Sequence, residues 1–245
     1  MKKVLVLCGV MLGLFAVVIS DSTAQLAFNE NVRDGQGHYL IPVGNAVEHI
    51  DGEIDGEWRD ANIITELDIL NVEDQASVYT TRLYLKHDGQ NLYIALLSTM
   101  RSKPGLAFAV LFDSDGDGSV VTDFDDQLRI PTSEFVANFS VPTAIDGFAF
   151  NTDGFFFDRA IDEVLHITAK GSETIDGRDV VYAVEAVHPL ASGDSADIFW
   201  QVGNRVKLAI ALVIHSGATT LPAVVHPCCN LEAVEQTYVI SRERL

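Results

Sequence analysis

The chain is poor in cysteine, in basic residues and in long apolar runs, and each scarcity removes a class of protein. Of its 3 cysteines, Cys8 falls in the N-terminal apolar stretch and Cys228 and Cys229 are neighbours, so no disulfide can join distant parts of the chain. A strained vicinal disulfide, pairing between molecules and free thiols all stay open. His226 lies two residues before that pair, but two adjacent thiols and one imidazole lack zinc-site spacing. Only 16 Lys and Arg stand against 35 Asp and Glu, a net charge of -19. Such a surface repels nucleic acid and anionic membranes, and it keeps a protein soluble. Beyond the N-terminus no apolar run reaches the roughly 20 residues that a spanning helix needs. The nearest, residues 208–214, reads as one strand. Also missing are a Gly-x-Ser-x-Gly elbow, a His-Glu-x-x-His pair and a Gly-rich phosphate loop. The 7 histidines are scattered, and acidic pairs such as Asp162 and Glu163 carry no hydrolytic meaning without geometry.

What is present begins with an address. Lys2 and Lys3 form a charged start, residues 4–19 an apolar core, and Ser22, Thr23 and Ala24 a small-residue cleavage site before Gln25. The sequence therefore predicts a secreted protein, extracellular or periplasmic, with residues 1–24 as signal peptide. An uncleaved membrane anchor is the alternative, which the shortness of the apolar segment disfavours. Cleavage takes away two lysines and one aspartate, so 16 basic and 35 acidic residues become 14 and 34, a net charge of -20. Residues 25–46 form an N-terminal extension or first strand, and residues 47–245 a single domain with no Ser/Pro-rich linker dividing it. About 220 residues suffice for one full core.

Strand patterns run through almost the whole domain. Residues 77–87 alternate and are rich in Val, Tyr, Thr and Leu; residues 91–99 follow after the turn His87-Asp88-Gly89-Gln90, a hairpin signal. Leu106–Phe112 reads as a central strand. Residues 147–150 and 155–157 flank Asn151-Thr152-Asp153-Gly154, a second hairpin signal, and residues 164–170, 180–187 and 205–215 complete about eight or nine strands of ordinary length. Only residues 57–61, 123–126 and 132–135 look like short helical turns. The pattern predicts an all-β fold, an antiparallel β-sandwich of two sheets of immunoglobulin or jelly-roll type.

Directly behind the 106–112 run stands a cluster of carboxylates: Asp113, Asp115 and Asp117, then Gly118, then Asp123, Asp125 and Asp126. So many like charges repel one another unless a cation sits among them, and hard oxygen ligands at alternate positions of a Gly-containing loop suit calcium. The spacing Asp-x-Asp-x-Asp-Gly matches the first half of an EF-hand loop, but Phe124 stands where the bidentate Glu belongs, which excludes a true EF-hand. A solvated acidic turn without an ion is the alternative, since Asp and Gly form turns unaided.

Four segments carry a resemblance. Residues 50–61, Ile-Asp-Gly-Glu-Ile-Asp-Gly-Glu-Trp-Arg-Asp-Ala, are similar to the opening IDG-x-x-D-x-x-W-x-x-A pattern of the carbohydrate-binding module family 9-like domains, relatives of the DOMON sandwiches. Residues 84–94 resemble that family's hairpin followed by a Leu-Tyr-Ile strand, and residues 111–118 its acidic loop. Residues 185–190, with Gly193-Asp194 and Val202-Gly203-Asn204, resemble its closing block. The segments follow in the family's order and span residues 49 to about 215. The resemblance implies a two-sheet sandwich in an exported, non-catalytic protein that binds sugars or sits beside other modules, at a cell surface or in the medium. It implies Asp113, Asp115 and Asp117 as calcium ligands, with Asp123, Asp125 or Asp126 closing the shell. Glu185 is either a ligand-side carboxylate or a hydrogen-bonded strand residue.

The sequence departs from the sugar-binding members in its aromatics. The only tryptophans are Trp58, read as core, and Trp200, whose strand could turn it inward or toward ligand, so a two-tryptophan clamp is not evident. Trp200 and Glu185 are the ligand-binding candidates. A second branch of the superfamily, resembling haem-binding subunits of molybdenum dehydrogenases, implies haem b held between a methionine and a lysine. Met100 is the one methionine after the signal, with Lys170 or Lys207 as its partner. A structural or adhesive module with no small ligand is a third reading.

Overall fold

The computed structural model describes residues 29–71, 78–101, 106–114, 116–119, 125–131, 145–149, 155–157, 168–176, 179–193, 198–216, 219–226 and 237–245. Residues 1–24, expected to be a signal peptide, and Asp115, Asp123, Cys228 and Cys229 lie outside them. The strands are β1 (Asn29–Glu30), β2 (Tyr39–Ile41), β3 (Asn62–Asn71), β4 (Val78–His87), β5 (Asn91–Arg101), β6 (Leu106–Phe112) and β7 (Asp126–Pro131). After them come β8 (Ile145–Ala149), β9 (Phe155–Phe157), β10 (Thr168–Asp176), β11 (Asp179–Pro189), β12 (Arg205–Ser216), β13 (Thr219–His226) and β14 (Thr237–Ile240). The helical turn expected over 57–61 is a 3-10 turn at Gly56–Trp58, capped by Asp55, whose side chain accepts from the Glu57 N–H. That expected over 123–126 is overturned at its end, because Asp126 opens β7; residues 132–135 lie outside the described residues.

The strands follow one hydrogen-bonded path, β10-β11-β5-β4-β3-β13-β12-β6-β7-β8-β9, which folds into an all-β sandwich. All pairs along the path are antiparallel, and two parallel pairs are added to it, β1 with β3 and β14 with β2. Among the described residues the two halves of the path pair at Val224 with Asn71 and Val225 with Leu70. Pro222 in β13 sits at a register shift against β12 and outside that pairing, where a missing N–H costs least.

Alternation decides which side chains enter the core. Leu83 and Leu85 of β4, Leu92, Ile94 and Leu96 of β5, Tyr182 and Val184 of β11, Phe108, Val110 and Phe112 of β6 and Leu208 and Ile210 of β12 are buried in one cluster. Each such side chain contributes about 1.5–3 kcal/mol by leaving water. The intervening Tyr84, Tyr93 and Ala95 form a second cluster on the opposite face, roofed by Val47, Trp58 and Ala61. The β4–β5 turn closes as its Asp-Gly sequence predicts: Gly89 has φ +94, and Asp88 accepts from the N–H groups of Gln90 and Asn91.

Candidate functional site

A cleft of about 410 Å³ opens where β6 runs into the acidic loop and β12 begins, lined among others by Asp113, Phe199, Trp200, Asn204, Arg205 and Lys207. The backbone positions its wall directly: Asp113 N–H donates to Lys207 C=O at 3.2 Å, prolonging the β6–β12 ladder. Val206, Leu208 and Ile210 point into the core, so Arg205 and Lys207 fall on the opposite face. The same alternation operates in the segment after β11. Ile198 and Trp200 are buried, and Phe199 between them is 65% exposed. Trp200 N–H bonds Leu190 C=O at 2.7 Å, and its indole packs edge-on against Phe112 with ring centres 5.2 Å apart. As a sugar platform, then, Trp200 is corrected by the structure: it is 5% exposed and wedged in the core. The exposed ring is its neighbour Phe199.

The acidic loop is organised by its own backbone. Asp113, 6% exposed, accepts from the N–H of Gly116 at 2.7 Å and of Gly118 at 2.9 Å. These glycines have φ +82 and +95, which other residues rarely adopt. Asp117 accepts from Ser119 N–H at 2.6 Å and Asp125 from Ser114 N–H at 3.0 Å. Asp126 belongs to a different environment. Its carboxylate accepts from Ile198 N–H at 3.3 Å and stands 3.7 Å from the buried His188 ring. His38 also lines the cleft, and Asp34 takes hydrogen bonds from it and from Gln36. Desolvation opposes its ionisation, but those bonds outweigh it and bring its carboxyl down to about 2.

Glu185 lies elsewhere, beneath the 50–58 segment and 1% exposed. Its Oε1 accepts from Trp58 Nε1 at 2.6 Å, and its Oε2 from the N–H groups of Asp51 at 3.0 Å and Gly52 at 2.8 Å. Burial raises its pKa, and these three hydrogen bonds work in the opposite direction. Gly52 has φ +86, and a Cβ there would meet the Gly171 backbone at 3.1 Å. Beside it the buried Lys86 bonds Asp60 Oδ1 at 2.8 Å and lies over the Trp58 and Tyr93 rings. The 50–61 motif thus docks a cover segment onto the sheet.

Met100 and Lys170 are not brought together. Met100 pairs with Val180 and Lys170 with Glu185, so the two flank β11 five residues apart, about 17 Å along the strand. Among the described residues the three-residue group with ligand atoms within 4.8 Å is Glu48, His49 and Glu57, exposed or half-buried at the cover segment. No helix among them is long and apolar enough to cross a membrane.

Sequence reasoning missed Phe199, Arg205 and Asn204 and named Lys207 only as a haem partner. The signal for Phe199 is in the sequence, since burying Ile198 and Trp200 forces the residue between them outward.

Among solved structures the chain is similar to a carbohydrate binding module family 9 (CBM9) protein from Caldicellulosiruptor kristjanssonii in complex with cellotriose. The identity is 13%, the TM-score 0.51, and 83% of this chain and 93% of that one are covered. It is also similar to a protein from Bacteroides uniformis given provisionally as carbohydrate-binding, at 10% identity and a TM-score of 0.57, with 83% of this chain and 98% of that one covered. At these identities the likeness is one of fold. No family model matches the sequence, and no curated protein matches it.

Proposed function

We propose that this protein is an exported, non-catalytic carbohydrate-binding module that takes its sugar in the cleft beside Phe199. The observation that carries the reading is that exposed ring. Large aromatics are usually buried, yet Phe199 is 65% exposed at the mouth of a cleft with amide and cationic neighbours. An apolar face set among a few polar groups suits a sugar, whose C–H face stacks while its hydroxyls hydrogen-bond. The fold, shared with a module crystallised with cellotriose, supports it. Export rests on the N-terminal signal pattern and non-catalysis on the missing catalytic motifs.

Calcium belongs to the same reading as a loop-stabilising ion. The donor set fits, being hard carboxylate oxygens in a turn with positive-φ glycines; Asp113, Asp117 and Asp125, with Asp115 and Asp123, would hold it. A bound ion would neutralise the loop and stiffen the cleft wall. The test is a glycan array probed with the folded protein and with Phe199→Ala. Reproducible hits that fade in Phe199→Ala support the reading; a blank array from folded protein overturns it.

A further inference from the structure

The cleft holds two cations with no ion pair among the described residues, and that charge says what kind of sugar it takes. Three of its acceptors are engaged: Asp113 receives Gly116 N–H and Gly118 N–H, Asn204 Oδ1 receives Gln201 N–H at 2.6 Å, and Ser114 Oγ receives Asp126 N–H at 3.0 Å. Two cations remain. Arg205 gives one N–H to the neutral Gln36 side chain and makes no ion pair among the described residues. Lys207 is half-buried with no hydrogen bond or ion pair among them; its ammonium rests above Gly118, 3.1 Å from where a Cβ would stand. A chain with 16 basic residues against 35 acidic ones thus places in one cleft two cations that make no ion pair among the described residues. The exposed Phe199 ring stands at the same opening.

Resting on the carbohydrate reading above, we propose that the cleft selects anionic sugars, rings bearing a carboxylate or a sulfate ester. Phe199 takes the ring face, and Lys207 and Arg205 take the acid group. The negative charge elsewhere on the molecule does not forbid this. At physiological salt, exposed charges farther than about 8 Å are largely screened, and the carboxylate in the cleft wall itself, Asp113, is offset by the N–H groups of Gly116 and Gly118.

The experiment is isothermal titration of the purified protein with three probes: a galacturonate trisaccharide, a sulfated galactose trisaccharide and cellotriose, each in calcium and in chelator. The expected result is that at least one acidic probe binds more tightly than cellotriose. Lys207→Met should weaken that probe at least about tenfold more than it weakens cellotriose, and Lys207→Arg should recover most of the loss. The acidic probe that binds tells carboxylate from sulfate. Cellotriose binding as tightly as both acidic probes, or Lys207→Met lowering all three alike, would overturn the inference and leave the carbohydrate reading standing. Acidic binding that vanishes in chelator but survives Lys207→Met would overturn it in favour of a metal bridge. Failure of Phe199→Ala and the parent protein alike to bind any probe, with melting curves intact, would remove both readings.

Discussion

The indole N–H of Trp58 donates to Glu185 Oε1 at 2.6 Å, joining residues 127 positions apart in a buried contact. With Asp51 and Gly52 holding the other carboxylate oxygen, one side chain fastens the cover segment to β11.

Removing that carboxylate strands three donors, two of them buried and the Asp51 N–H partly so. Glu185→Ala is expected to destabilise by about 2–3 kcal/mol in urea titration, the scale for buried groups left without partners. Glu185→Gln should cost less and carries a pH signature. The raised pKa means the folded state binds the proton more readily than the unfolded chain. Its stabilising contribution is therefore complete below the ordinary glutamate range and lost as pH climbs through the raised value. The Gln variant does not titrate, so its deficit should shrink from roughly pH 4 to pH 7. A deficit that widens with pH would refute the linkage.

Lys86 is the cover segment's second fastening. Its stem leaves no room above it, because a Cβ on Gly44 would lie 2.7 Å from Lys86 Cδ. Lys86→Met removes the cation from Asp60, which is 23% exposed, so the cost should fall near or below the lower end of the roughly 3–5 kcal/mol seen for breaking buried pairs. Gly44→Ala should destabilise in the same direction by displacing the stem, and the two substitutions combined should cost less than their sum. Full additivity in a double-mutant cycle would show that they act independently.

Much of the sandwich was legible in local pattern. The strands β4, β5, β6, β11 and β12 alternate or run apolar, and Asp88-Gly89 marks the turn between two of them. The strand β3 was hidden because its pairing with β4 shifts register between Ile64 and Leu67, which breaks the period of two. Parallel pairing of Tyr39 with Tyr238 leaves no local trace at all. The site was harder for the same reason. The surroundings of Glu185 come from the remote Asp51, Gly52 and Trp58, and Lys207 meets the acidic loop only because β12 lies beside β6.

His49 offers a probe of the cover segment's surface. Its ring meets Glu57 Oε1 at 3.2 Å, and that hydrogen bond, with the carboxylate's charge, raises its pKa. The contact therefore helps the fold below the ordinary histidine value, and its contribution is lost as pH rises through the raised one. Titration of the His49 ring protons by NMR should give a midpoint above about 6.5, returning toward that value in Glu57→Gln. An unchanged midpoint in the variant would assign the shift to other acids nearby.

The acidic loop separates its two possible supports by chelation. Asp113→Ala removes the acceptor for Gly116 N–H and Gly118 N–H, a loss of about 2–3 kcal/mol whether or not an ion is bound. If calcium also binds there, the parent protein gains about 2.7 kcal/mol at one hundred times the dissociation constant, and a variant that cannot bind gains nothing. The deficit of Asp113→Ala should thus be roughly twice as large in calcium as in chelator, while Glu185→Ala, far from the loop, should show the same deficit in both. Equal deficits for Asp113→Ala would mean that backbone hydrogen bonds alone hold the loop and that the cleft wall needs no metal.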